Sequence, residues 1–159
     1  MENEEFDFES TYNELKEKHS LPEFKRIAED FDIEKIAEKE SIFLIREIRR
    51  TINEKLSAYM HLFETLINPT APPMFIFSVL RGINGEDKEQ IKEIYKELSK
   101  LQIEVMKLDT IYSEESEVAF VKKSFDRWQE LKKEIYTIIG KFDENIGKED
   151  NSKNRGYFG

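Results

Sequence analysis

An all-α fold, an up-down bundle of three long amphipathic helices with additional short helices, is what this 159-residue sequence predicts. Three observations carry that reading. Apolar residues recur at three-and-four spacing over long stretches, the period of a helix with one buried face. Breakers are few, six Gly and four Pro, and they gather at a handful of punctuation points. Charged residues make up 37% of the chain, richer than usual, as suits slender, coiled-coil-like helices with much solvent-facing surface. Short connections between long helices favour antiparallel neighbours, hence the up-down order.

Taken in order, residues 1–9 read as an acidic mobile arm carrying Phe6 and Phe8. Thr11 and Glu14 have capping-box spacing and open a short helix running to His19. Ser20 as cap, Pro22 in the first turn and Glu23 then start a second, with Phe24, Ile27, Ala28 and Phe31 inward. Asp32 is a candidate cap for the next helix. No Gly or Pro interrupts residues 33–67, where Ile45, Ile48, Ile52, Leu56, Tyr59, Phe63 and Leu66 form a stripe; one helix of about 50 Å is expected at 1.5 Å per residue. The prolines within residues 68–73 end it. Thr70 is placed to cap a short apolar helix over 74–80, closed by Gly82 and an Asn84-Gly85 turn.

Residues 86–109 repeat the long pattern, with Ile91, Ile94, Leu98, Leu101, Val105 and Leu108 on one face. Glu89, Glu93 and Glu97 precede Lys92, Lys96 and Lys100 by three on the other, the mark of a solvated face. Ser113 caps the last long helix, whose stripe is Val118, Val121, Phe125, Trp128, Leu131, Ile135, Ile138 and Phe142. Gly140 and Gly147 mark its fraying end. The helical bundle is thus expected over 10–146, with 147–159 a flexible tail.

Composition narrows function more than it names it. Without cysteine, disulfides and thiolate metal sites are excluded, and a reducing cytoplasm is the natural compartment. A net charge of −9 disfavours broad nucleic-acid binding. The opening MENEEFDFES lacks the basic and apolar regions of a signal peptide, and no run approaches the ~20 apolar residues that span a bilayer. No membrane and no cofactor are expected.

Chemistry-bearing motifs are sparse. A bundle dimetal site needs Glu-x-x-His pairs, but Lys16 and Ala58 stand three residues before His19 and His61. His61 with Glu64 is a reversed, single-helix substitute, better read as a surface or boundary histidine. Glu86 with Glu89 and Glu114 with Glu117 have the spacing of paired magnesium carboxylates. They also lie in first turns, where acids answer the helix dipole. Neither a nucleophile elbow nor a phosphate-cradling glycine loop is present, so an enzymatic role has no support in the motifs.

Three features remain as binding candidates. Arg46, Arg49 and Arg50 cluster on the longest helix and could share a phosphate, although Glu47 and Glu54 nearby suit a solvated ion-pair network better. The 74–80 segment is apolar nearly all round, so burial is the default. Left open, Met74, Phe75 and Phe77 would form an adaptable sticky surface. The closing Arg155-Gly156-Tyr157-Phe158-Gly159 sets two aromatic rings in a polar tail, which suits a tethered motif docking Tyr157 and Phe158 into a partner. The function expected is therefore a non-catalytic protein-protein interaction module, an adaptor, assembly factor or regulator of a cytosolic complex. Its partner is another protein, with self-association allowed. The alternative is a bundle binding a phosphorylated ligand or RNA through the arginines, with or without an enzymatic step.

Overall fold

Asp7, not Thr11, opens the first helix in the computed structural model, which describes residues 7–38 and 43–154. The Asp7 side chain accepts a hydrogen bond from the Ser10 amide at 3.1 Å, satisfying one of the donors a helix start leaves unpaired. Helix α1 runs Phe8–His19 and α2 runs Phe24–Phe31. Ser20 and Asp32, expected as N-caps, instead end these helices in the left-handed conformation, at φ 55° and 50°. Short polar side chains tolerate that region when glycine is absent.

The single helix expected over 33–67 is corrected. A 3-10 helix covers Ile33–Glu38, and α3 begins only at Leu44 and runs to Ile67. Ile33 and Ile36 are both buried, a spacing of three that the tighter 3-10 winding aligns on one side. Next, α4 spans Met74–Arg81, with Pro73 rather than Thr70 at its N-cap and no side-chain cap. Ala71 turns left-handed at φ 49° and the chain bends there, at a cost of roughly 1–2 kcal/mol for a residue with a Cβ.

Helix α5 covers Gly85–Thr110 and α6 covers Glu114–Asn154. The Asn84-Gly85 turn is a helix start. Asn84 Oδ1 accepts from the Asp87 amide at 2.8 Å, and Asp87 Oδ2 accepts from the Asn84 amide at 3.3 Å, a reciprocal capping box built from Asn and Asp. Asp87 also holds Lys141, whose hydrogen bond draws the carboxyl below its ordinary range. Ser113 caps α6 as expected, accepting from the Ser116 amide. Gly140 and Gly147 do not end it: the helix passes both, so residue 147 is not a helix boundary. A Cβ at Gly140 would meet nothing within 4 Å, so that position faces open space.

The chain divides into two compact units, Met1–Ser57 with Leu101–Trp128, and Ala58–Lys100 with Gln129–Gly159. Helices α3, α5 and α6 each give one segment to either unit. In the first, Ile48, Ile52, Leu56, Leu101, Phe125 and Trp128 are buried together with Ile27 and Phe31 of α2. In the second, Phe63, Ile91, Ile94, Leu98, Leu131, Ile135 and Ile138 form the core. The α5 and α6 stripes read from the sequence are thus buried throughout. Among the described residues there is no strand, and the fold is all-α. No described helix is long and apolar enough to cross a membrane.

Tyr12 ties α1 to the segment that leads into α2. Its ring is fully buried with Phe24 edge-on at 5.4 Å, and its hydroxyl donates to the Pro22 carbonyl at 2.8 Å. Burial, helped by the Glu23 carboxylate, pushes the phenol well above its ordinary pKa. A raised folded-state pKa means stability that is complete below the unfolded value of about 10 and lost as pH rises beyond it. Tyr12→Phe is therefore expected to cost about 1 kcal/mol near neutrality, through the lost hydrogen bond, and to flatten the alkaline decline. Urea melts of both proteins at neutral pH and above about pH 10 check this.

Candidate functional site

The solvated arginine network suggested by the sequence is not what forms. Arg49 is 1% exposed and Glu117, its partner from α6, is fully buried. Arg49 Nε lies 2.8 Å from Glu117 Oε2 and Nη2 lies 3.1 Å from Oε1, a bidentate fork. Asp109, at the end of α5, takes Nη2 as well at 2.8 Å. Burial opposes the guanidinium charge, but these two carboxylates outweigh it and hold the pKa above its ordinary value. Arg46 comes to the same carboxylate, with Nε 3.7 Å from Glu117 Oε1. Its guanidinium carbon sits 4.3 Å over the Tyr112 ring and 5.2 Å over that of Phe43, a cation-π seat. Arg50 turns away to Glu47 at 2.8 Å on the exposed side. The three arginines therefore do not converge on a common open anion site.

Among the remaining acidic candidates, Glu114, Glu89 and Glu64 have structural partners. Glu114 receives Lys18 Nζ at 2.9 Å and His19 Nε2 at 2.7 Å, and these hydrogen bonds, Lys18 first, draw its carboxyl below the ordinary range. Lys122 donates to the His19 carbonyl at 3.2 Å, so the end of α1 is pinned to α6. Glu89 pairs with Lys92, and His61 with Glu64 at 3.6 Å on the surface. No group of three or more His, Asp or Glu among the described residues could hold a metal ion.

What stands open is apolar. Helix α4 buries Ile76 and Val79, leaving Met74 81%, Phe75 57% and Phe77 45% exposed. Burial on several sides, the default expected for this segment, is thereby corrected: of its apolar residues Ile76 and Val79 alone are buried. Eight residues supply only about two turns, and Ile76 and Val79 make one buried face, so the rings on the other sides stay in solvent. Beside it lies a cavity of about 400 Å³ lined by Leu66, Ile67, Pro69, Leu80, Ile83, Lys88, Ile91 and Lys92. Phe77 precedes Leu80 by three residues and Met74 precedes Phe77 by three, the spacing of side chains on neighbouring turns. The exposed strip of α4 thus leads to the cavity wall. The first unit has its own groove of about 430 Å³ between Leu108, Ile111, Ala119 and Phe120, but there Glu104 and Lys123 pair with each other across its rim.

The tail candidates Arg155, Tyr157 and Phe158 lie outside the described residues. Comparison of the chain with protein-family models, with curated proteins and with solved structures finds no match.

Proposed function

We propose that the protein is a helical protein-protein interaction module whose docking surface is centred on α4. The observation that carries this reading is the exposure of Met74, Phe75 and Phe77 on a helix whose opposite side is anchored in a core by Ile76 and Val79. Adjacent exposed apolar side chains of this size on a chain otherwise rich in charge are what a partner surface requires. Methionine and phenylalanine adapt well to another surface. Covering Met74 would contribute roughly 1.5–3 kcal/mol before ordering costs are subtracted, and each half-covered ring roughly half as much. A phosphate or RNA site on the arginine cluster has less support, because Arg49 is buried with its Nε and Nη2 engaged by Glu117 and Asp109.

Combined Met74→Ser, Phe75→Ser and Phe77→Ser substitution tests the reading. Melting should shift by no more than surface changes do, about 0.5 kcal/mol, while capture of partners from the native host, or self-association in sedimentation, is lost. Unchanged capture and unchanged association in a folded variant would count against α4 as the surface.

A further inference from the structure

We infer that the α4 surface takes an acidic peptide segment, one that inserts an apolar side chain into the neighbouring cavity and sets its carboxylates against Lys88 and Lys92. The inference rests on the docking role proposed for α4 and specifies the chemistry of the partner. The chain carries 34 acidic and 25 basic residues, yet among the described residues lining this cavity the charged ones are two lysines, with no carboxylate. Lys88 makes no ion pair among the described residues, and Lys92 has only the exposed Glu89 at 2.9 Å, a contact of the kind that exchanges cheaply. A partner anchor flanked by carboxylates gains both ammonium groups, whereas one flanked by basic residues meets like charge at the rim.

The shape points to a peptide. The cavity of about 400 Å³ is at the small end of the roughly 300–1,000 Å³ of small-molecule sites, so an acyl carboxylate could fill it. Such a ligand would leave Met74 and Phe77 in water. A segment with apolar residues three and four apart would instead seat one side chain among Leu66, Leu80 and Ile91 and lay the next along the α4 strip.

A random dodecapeptide display library selected on the full chain is the test, with counter-selection on the Met74→Ser, Phe75→Ser, Phe77→Ser variant. Enriched sequences should pair apolar anchors with flanking Glu or Asp. The tightest should lose at least about tenfold in affinity on Lys88→Glu with Lys92→Glu, a difference of roughly 1.4 kcal/mol, and should recover when its own acids are changed to lysine. Enrichment of neutral or basic peptides, no enrichment over the counter-selected variant, or indifference of the best peptide to the lysine reversal would overturn the inference. So would dodecanoate binding that the α4 substitutions leave unaltered, since the cavity alone would then be the site. Partner capture that survives the lysine reversal but not the α4 substitutions would remove the charge assignment and leave the docking role standing.

Discussion

Glu117→Ala is expected to destabilise the protein by about 3–5 kcal/mol, the range for removing one partner of a buried ion pair. The side chain is fully buried and receives two hydrogen bonds from an Arg49 that is itself 1% exposed. Truncation leaves a guanidinium in the interior with only Asp109, among the described residues, to answer it, and the Asp109 side chain is 54% exposed. That surviving contact sets the expectation at the lower end of the range. Arg46 loses its carboxylate in the same step. Equilibrium urea denaturation followed by circular dichroism reads the effect, and a loss below about 1 kcal/mol would show that the pair is effectively solvated. The paired replacement Arg49→Met with Glu117→Leu sharpens the test. It removes both charges and fills their space, so it should cost far less than either single truncation. If the double variant is as unstable as Glu117→Ala, packing rather than the unpaired charge is responsible.

Trp128→Ala is expected to cost about 3–5 kcal/mol, as large aromatic truncations in packed cores do. The indole is 4% exposed, with the Phe31 ring 5.8 Å away and the Lys55 ammonium 5.0 Å from its centroid. Lys55 also donates to the Asp30 carbonyl, so the ring supports a cation that ties α3 to the end of α2. Trp128→Phe keeps an aromatic face and much of the volume and should lose well under half as much. This is the chain's single tryptophan, so the comparison must use circular dichroism or tyrosine emission rather than indole fluorescence. A loss of less than about 1 kcal/mol on truncation to alanine would mean that the site collapses without a cavity.

How far the sequence could be read differs from element to element for a definite reason. The α5 and α6 stripes were legible because a helix repeats its orientation every few residues, so burial appears as local periodicity. Ser113 was legible as a cap because its acceptor serves an amide three residues on. Ser20 and Asp32 were misplaced because the same short polar side chains suit both the start of a helix and a left-handed end, and only the direction of the chain after them decides which. The 3-10 helix was hidden because no Gly or Pro announces it between residues 33 and 44.

The arginine cluster shows where local reading stops. From Arg49 alone the nearest acids are Glu47 and Glu54 on its own helix, and a solvated network is the natural inference. The actual partner stands 68 residues further along the chain, and no spacing rule connects positions so far apart. Likewise α4 is apolar enough to be buried on every side, and whether it is depends on what packs there.

By itself, then, the sequence determined the helical class, the faces that α5 and α6 bury and the absence of thiol chemistry, because each depends on residue type and near neighbours. Only the tertiary structure decided that Glu117 neutralises a buried arginine, that the chain divides into two compact units and that Met74, Phe75 and Phe77 stay in solvent. Those outcomes depend on which distant segments meet, and their energies come from burial and charge pairing rather than from local conformational preference.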